Sequence, residues 1–390
     1  MSTEVKVREK TALLDKMIFS GIQILQFENI ENLIQKDIVE MSSSKVKYIT
    51  ASGVEFSKLL IEHDGVIDKM VAGSKIIGGK RVDYCNLETT IKPTETGNLN
   101  CYSVDDYIDR LREIQDHLEN AYGIIADFSD ITVKEVEINR TFRLEGNFEN
   151  YHRVLNLIMT NLPSYLKNQM DYKKVVKGSS EYQTYYATSK TTNKSKRYLL
   201  FKIYNKTKAI EHIILLTDSY MRVEFRLVGA EKVKKALKTN KFFEMTDELI
   251  NSYFDEQIDK LIKKPYEKWQ KDRNKYLVKL MKNERTRDIR HWQTNVLRIL
   301  QNEEISQKRP VLLDIEELIP LIDQLGLSSK RRSEVKSNFR KQSKKYETVF
   351  CKNDHLKLNE ILEKLTAKDT AKTVKDTERN PTIDGMKKIA

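Results

Sequence analysis

Three segments of this chain alternate functional polar side chains with apolar ones. They are 131–141 (ITVKEVEINRT), 198–206 (YLLFKIYNK) and 221–227 (MRVEFRL). Such alternation predicts β-strands with one buried face. If the three strands are neighbours, one face of a sheet carries the following side chains: Glu135, Glu137, Asn139, Lys202, Tyr204, Lys206, Arg222, Glu224 and Arg226. Acids, a tyrosine and several cations are the groups that metal-assisted phosphodiester cleavage by a tyrosine nucleophile requires.

Tyr204 is the candidate nucleophile. A tyrosine hydroxyl has an ordinary pKa of about 10, so nearby cations or a metal must lower the cost of forming the phenolate. Lys202 and Lys206 lie two residues away on either side and share its face. The alternative is an ordinary half-buried strand tyrosine, in a chain with 18 tyrosines. Spacing alone favours that alternative.

Glu137 and Glu224 are candidate ligands for Mg²⁺ or Mn²⁺, which prefer oxygen ligands and polarise a phosphate oxygen. The alternative is a structural ladder of ion pairs with Arg222, Arg226 or Lys134. The residues leave both readings open. The six histidines show no H-x-H or H-x-x-x-H spacing, so a metal site built from histidines is not expected.

Two basic segments are candidates for DNA contact. The turn-like segment 190–196 and its flanks combine aromatic rings with cations, which suits single-stranded bases: Tyr185, Tyr186, Lys190, Lys194, Lys196 and Arg197. The segment 330–345 carries eight cations on a predicted helix that Ser328 or Ser329 could cap. Its candidates are Lys330, Arg331, Arg332, Lys336, Arg340, Lys341 and Lys344, four of them spaced by four residues for phosphate contact. The alternatives are an exposed basic turn and a solvated helix face.

The surrounding pattern predicts an α+β fold up to about residue 243. Strands are expected at 13–24, 45–51, 81–92 and 180–189, besides the three segments above. Helices are expected at 27–38, 103–122 with Ser103 as its cap, 150–162, 207–218 and 230–239. From about 244 the strand pattern stops, and helices are expected at 266–303, 312–325, 328–350 and 357–365.

Three regions are therefore predicted. Residues 1–243 form an α+β catalytic domain with a mostly antiparallel sheet and helices on one face. Residues 244–365 form an all-helical basic DNA-binding domain, and 366–390 form a disordered tail with few large apolar side chains.

Composition narrows the class of partner. The net charge of +12 and pI near 9.2 favour a polyanion, nucleic acid before membrane. No apolar run approaches the length of a membrane span and the N-terminus lacks an apolar signal core, so a cytoplasmic protein is expected. Cys85, Cys101 and Cys351 lack metal-site spacing and are expected to be reduced, partly buried thiols.

The residues around Tyr204 resemble a known family. The stretch 196–210 (KRYLLFKIYNKTKAI), followed by 220–227 (YMRVEFRL), resembles the region of rolling-circle plasmid replication initiators of the Rep-trans type where R-[apolar]-x-IYNK precedes W-R-V-E. The stretch 133–142 (VKEVEINRTF) is similar to their upstream T-R-L-D-L-A-F-D strand. Filamentous-phage gene II replication proteins share a looser version of this order. The chain departs from the pattern with Glu137 for aspartate, Met221 for tryptophan, and 184–190 (TYYATSK) for Y-F-G-x-R-x-S.

This resemblance implies a nicking domain related to the HUH endonuclease sheet and a divalent metal, Mg²⁺ or Mn²⁺. It implies that Tyr204 attacks a phosphodiester at a replication origin, in single-stranded or extruded DNA, and forms a 5′-phosphotyrosyl link. Glu137 and Glu224 would hold the metal, while Lys202, Lys206 and Arg222 stabilise charge. A host polymerase and helicase are implied partners in a bacterial host, and family members tend to act as dimers.

Three alternatives remain. A conjugative relaxase of the same superfamily would use the same chemistry to start transfer. A non-enzymatic origin-binding protein would keep Tyr204 as a structural residue. An RNA-binding regulator would prefer hairpin RNA to DNA.

Overall fold

The computed structural model describes residues 7–41, 46–90, 99–167, 174–177, 180–189, 198–306, 314–346 and 352–366. The predicted tail lies outside these ranges except for Thr366, which ends the last helix. None of the helices within the described ranges is long and apolar enough to cross a bilayer.

The strands within the described ranges all lie in the first 230 residues. They are β1 (Leu13–Ser20), β2 (Gln23–Phe27), β3 (Val39–Glu40), β4 (Tyr48–Ile49), β5 (Glu55–Phe56), β6 (Lys58–Glu62), β7 (Lys69–Ile77), β8 (Lys80–Thr90), β9 (Ile124–Asp127), β10 (Thr132–Arg143), β11 (Lys174–Lys177), β12 (Ser180–Thr188), β13 (Tyr198–Asn205) and β14 (Tyr220–Val228). Ten of them form one sheet in the order β11-β12-β13-β14-β10-β1-β8-β7-β6-β3, with every neighbouring pair antiparallel. β2 pairs with β9, and β4 pairs with β5.

Helices lie between the strands in the first part of the chain, and the described elements after β14 are all helical. The helices are α1 (Ile30–Gln35), α2 (Val104–Tyr122), α3 (His152–Asn161), α4 (Ser164–Lys167), α5 (Lys206–Ala209), α6 (Ala230–Leu237), α7 (Asp247–Ile258), α8 (Lys264–Arg287), α9 (Trp292–Ile305), α10 (Ile315–Leu321), α11 (Ser329–Ser343) and α12 (Lys352–Thr366). The described fold is thus a large antiparallel sheet with helices, followed by a helical region, as the alternation and its loss after residue 243 predict.

The apolar face of the central strands is covered by helices. Phe254 of α7 packs edge-on against Phe225 of β14, with ring centroids 5.2 Å apart, and Tyr107 of α2 packs against Phe19 of β1. These rings belong to one continuous apolar core that also takes in α6 and α12. Because strand side chains alternate between faces, the opposite face of the same strands is left for polar groups.

Arg140 ties this core to the end of the chain. It is buried on the apolar face of β10, where its guanidinium donates to Asp255 of α7 (3.1 Å) and to the carbonyl oxygen of Leu365 in α12 (2.8 Å). The same group stacks on Phe254, 4.5 Å from the ring centroid. A buried cation needs such partners to offset its desolvation, so α7 and α12 are docked here by specific contacts.

A second apolar core lies among α8, α9, α10 and α11. It includes Leu277, Trp292, Leu318 and Phe339. The predicted boundary at residue 243 falls before this core, but α7 and α12 contribute their apolar residues to the sheet. The division into domains remains a prediction.

Several predicted elements differ in detail from the structure. The helix from Ser103 is present with a capping box, in which Ser103 Oγ accepts from the backbone of Asp106. The helix predicted at 207–218 ends at Ala209, and Leu215 beyond it is exposed. The strand predicted at 45–51 is reduced to Tyr48–Ile49.

Candidate active site

The three alternating segments are neighbours in the sheet. They form β13, β14 and β10, in that order. Tyr204 lies opposite Arg222, Lys202 lies opposite Glu224, and Glu224 lies opposite Asn139 on its other side. Since residues paired across antiparallel strands share a face, the predicted polar side chains are brought to one surface of the sheet, which we call the site face.

β1 adds an acid that the sequence analysis missed. Leu14 pairs with Ile138 of β10 and Met17 pairs with Val136, so that two residues of β1, Asp15 and Lys16, stand opposite the single residue Glu137. This is a β-bulge, a feature that re-aims side chains and is common next to active sites. The bulge keeps Leu14 and Met17 in the core while Asp15 joins the site face.

Asp15, Glu137 and Glu224 form a cluster in which one oxygen from each lies within 4.8 Å of the others. An octahedral Mg²⁺ with ligands at about 2.1 Å holds opposite oxygens about 4.2 Å apart. Only one pair among three ligands can be opposite, and adjacent oxygens are about 3.0 Å apart, so the three carboxylates would have to move closer together than 4.8 Å to bind one ion. Their oxygen donors fit a hard divalent cation such as Mg²⁺ or Mn²⁺.

The same carboxylates are paired with cations. Arg222 bonds Asp15 (2.9 Å), Lys202 bonds Glu224, and Arg226 lies 3.3 Å from Glu137. Arg226 also pairs with Glu135. Lys134 takes no part in this group, since it bonds Asn86 on β8. Both readings of the acids thus have a physical basis: the cluster has the oxygen donors of a metal site and the contacts of an ion-pair ladder.

Tyr204 lies beside this cluster. Its side chain is 8% exposed, and its hydroxyl donates to Glu224 over 3.4 Å. Lys206 follows at the start of α5 and is also buried. Burial, and then the positive field of Arg222, lower the pKa of the Lys206 ammonium to about 8. A lysine tuned to this value can exchange a proton near neutral pH.

Arg222 is placed as a supporting residue. It is 0% exposed, and its guanidinium donates to Thr141 (2.7 Å), to Asp15 (2.9 Å) and to the carbonyl oxygen of Leu99 (3.3 Å). These bonds hold Asp15 in the cluster. The role of Arg222 in stabilising charge on the phosphate stays a prediction, and its guanidinium, 0% exposed, faces groups of its own chain.

Crowding of the acids changes the protonation of Glu137. Burial, and then the charge of Glu224, raise the pKa of the Glu137 carboxyl to about 7. Raised carboxyl pKa values are found where like charges share a site without a full counter-charge. Burial is the larger of the two causes, so the raised pKa reflects desolvation of the Glu137 carboxylate first and its acidic neighbour second.

The cysteines play a structural part. Cys85 and Cys101 are buried free thiols, as the composition suggested, and Cys351 lies outside the described residues. Asn139 donates to Cys101 Sγ (3.2 Å), so the amide of the site face packs against the 99–102 segment. Burial raises the pKa of the Cys101 thiol to about 12, which makes it a poor nucleophile.

Tyr185 and Tyr186, which precede the turn-like segment 190–196, point to opposite faces of the sheet. Tyr186 pairs in register with Lys202 and is half-buried on the site face. Tyr185 pairs with Ile203, is buried in the core, and bonds His152 (2.6 Å). Its ring is therefore not available to stack on a base. The four cations named with them, Lys190, Lys194, Lys196 and Arg197, lie outside the described residues.

The basic stripe of α11 is turned toward acids of its own chain. Lys336 bonds Asp323 (2.8 Å), and Arg340 bonds Glu316 through two nitrogens (2.8 and 2.7 Å). Arg332 lies 3.7 Å from Asp323, whereas Lys330, Lys341 and Lys344 are exposed. Ser328 occupies the N-cap position but makes no side-chain capping bond, and Ser329 is the first helical residue.

No protein-family model matches this sequence, and comparison with curated proteins gave no similar sequence.

Proposed function

We propose that this chain is a rolling-circle replication initiator that nicks one DNA strand with Tyr204, on a sheet of the HUH-endonuclease type. One observation carries the proposal: a tyrosine hydroxyl lies within hydrogen-bonding distance of a cluster of three carboxylates, whose oxygens are the donors that a divalent cation prefers. The motif resemblance selects the same residues independently: IYNK gives Tyr204, the R-L-D strand gives Glu137, and R-V-E gives Glu224. A divalent cation in this cluster supplies polarisation of a phosphate oxygen.

The proposed reaction starts from the contact between Tyr204 and Glu224. The Tyr204 oxygen forms a bond to phosphorus while the bond from phosphorus to the 3′ oxygen breaks, leaving a 5′-phosphotyrosyl link and a 3′ hydroxyl. The phenol proton leaves toward the Glu224 carboxylate, which accepts its hydrogen bond. The Lys206 ammonium supplies a proton near the leaving oxygen. Lys202 and the 27%-exposed Arg226 are the cations closest to solvent that could meet the phosphate.

The surrounding roles follow from the same proposal. The partner is origin DNA, single-stranded or extruded at the nick, and the freed 3′ hydroxyl primes a host polymerase with help from a host helicase. The protein acts as a homodimer in the cytoplasm of a bacterial host. The excess of 69 basic over 57 acidic residues supports a polyanionic partner.

The test is incubation of supercoiled plasmid carrying the DNA around the gene with wild type, Tyr204→Phe and Tyr165→Phe, in Mn²⁺ or in EDTA. Tyr165 is an exposed tyrosine of α4, so its variant removes a phenolic hydroxyl away from the site face. We expect metal-dependent nicked circles covalently bound to protein for wild type and Tyr165→Phe, and none for Tyr204→Phe. Equal nicking by all three proteins would refute the role of Tyr204.

A non-enzymatic DNA-binding protein is the second candidate. The observation that favours it is the pairing of each cluster carboxylate with a cation, since such a ladder is stable without metal. This candidate predicts specific binding of the same plasmid by wild type and Tyr204→Phe alike, with no nicking in Mn²⁺ by either protein.

A further inference from the structure

Helices α10 and α11 are joined by a short turn built around glycine. α10 continues through a tight 3-10 turn, Ile322–Leu325, and ends at Gly326, whose φ of +66° is in the left-handed region that glycine adopts without strain. Leu327 and Ser328 then lead directly into α11. Two helices connected by a turn of three residues that contains glycine are the pattern of a helix-turn-helix unit.

The core fixes which side of α11 faces inward. Val335 and Phe339, four residues apart, are buried in the second core with Leu318 of α10. Trp292 of α9 meets the Phe339 ring edge-on, with centroids 5.5 Å apart. Gln293 of α9 also donates to the carbonyl oxygen of Val335 (3.1 Å). α11 is therefore held on two sides and cannot rotate freely.

Two flanking cations hold α11 on the element that precedes it. Lys336 bonds Asp323, and Arg340 bonds Glu316. These are two of the four residues that their spacing by four had indicated for phosphate contact. They instead complete the contact between the two helices, which leaves the side of α11 opposite Val335 and Phe339 as its outward surface.

That surface, which we call the outer face of α11, is exposed and basic. At 100° per residue, it consists of Lys330, Ser333, Glu334, Ser337, Lys341 and Lys344, all of them exposed. Glu334, its one acid, is paired with Arg331 (2.9 Å). Within the described part of the chain, Lys330, Lys341 and Ser337 have no side-chain hydrogen bond or ion pair. A rigid helix with unpaired cations and hydroxyls complements phosphates and base edges.

We propose that α10 and α11 form a helix-turn-helix unit and that the outer face of α11 enters the major groove of duplex DNA. In such units the second helix contacts base edges from its N-terminal part while its neighbour crosses the backbone. Ser333 and Ser337 face the bases, and Lys330 and Lys341 reach bases or phosphates on either side. The inference rests on the proposed function only in taking DNA as the ligand. In this proposal α11 recognises duplex DNA, whereas cleavage takes place at the site face.

The test is selection from a pool of duplexes with 20 randomised base pairs, using the full-length chain, followed by competition between the selected duplex and a scrambled one. The variant Lys330→Ala/Lys341→Ala is compared with Lys271→Ala/Lys275→Ala, which removes the same charge from exposed positions of α8. We expect the first to weaken binding of the selected duplex at least tenfold and to reduce the salt dependence by about 0.9 per lost phosphate contact. Ser337→Ala, which changes no charge, should alter the preferred bases on reselection.

Equal binding by the two double variants would overturn the inference, as would selection by wild type that yields no preferred sequence. Unfolding temperatures check that the variants remain folded. Tyr204→Phe should select the same sequence as wild type. Loss of selectivity on substitution of α11, in a protein that never cleaves DNA, would support this inference and refute the nicking proposal. Normal nicking of single-stranded DNA, by a protein that prefers no duplex sequence, would support the nicking proposal and refute this inference.

Discussion

Wild type should become less stable as the pH rises, because Glu137 loses its proton. Glu137→Gln should not show this decrease in unfolding free energy. The folded-state pKa of Glu137 is raised from 4.5 to about 7 by burial and by Glu224. Between these values the folded chain holds a proton at this position that the unfolded chain has released. The stabilisation is therefore fully present below pH 4.5 and is lost as the pH rises through about 7.

The size of this effect follows from the pKa difference. Each unit corresponds to about 1.4 kcal/mol, so wild type should lose about 3 kcal/mol of unfolding free energy across this range. Glutamine cannot ionise, and Glu137→Gln should lack this component. The substitution also weakens the contact with Arg226. That loss lowers the unfolding free energy at every pH, whereas the titration of Glu137 changes how the unfolding free energy depends on pH.

The assay is urea unfolding of wild type and Glu137→Gln in EDTA at several pH values from 4.5 to 8.5. Glu363→Gln, at an exposed position of α12, is the control for loss of a carboxylate. The stability difference between wild type and Glu137→Gln should change by about 3 kcal/mol across this range, whereas the control difference stays flat. A difference that is independent of pH would refute the reasoning. Saturating Mg²⁺ should restore the unfolding free energy that wild type has lost at pH 8, because a bound cation replaces the proton. It should have little effect on the unfolding free energy of Glu137→Gln.

Four further substitutions have expected outcomes. Asp15→Asn should weaken Mg²⁺ binding by at least about tenfold, measured by calorimetry, since it removes one of three charged ligands. Lys206→Met should slow nicking and abolish a fall in rate that wild type shows as the pH rises through about 8, where the buried ammonium loses its proton. Ser103→Ala should cost about 1 kcal/mol in urea unfolding by removing the cap of α2. Arg140→Ala should cost about 2 kcal/mol and speed proteolytic cleavage of α12, because it removes one charged hydrogen bond to α12 and another to α7.

Alternation in the sequence was sufficient to predict the site face from β10, β13 and β14. Each segment follows a period of two over its central residues, so those polar side chains share one face once the strands pair, although Arg140 of β10 is a polar residue on the apolar face. Asp15 escaped this reasoning because the apolar residues of β1, Leu14, Met17 and Phe19, are first three and then two apart. A bulge is defined by the partner strand, and a single segment does not reveal it.

The basic helix shows a second limit. Spacing by four identified a ridge of α11 with Arg332, Lys336 and Arg340, but any helix has several such ridges. Val335 and Phe339 are also four residues apart. As apolar residues, they mark the side of the helix that is buried. The acids that pair with the ridge belong to an element that only the tertiary fold brings close.

The ion pairs of the site face have a consequence for how its ligands would bind. Its four acids, Asp15, Glu135, Glu137 and Glu224, are matched in number by Lys202, Lys206, Arg222 and Arg226. A surface so balanced has little net attraction for a phosphodiester, and a divalent cation would make it positive. The cation and a DNA strand would then each increase the affinity for the other by the same factor. Binding of either ligand would therefore be cooperative, and the affinity of the protein alone for a cation would understate its affinity when DNA is bound.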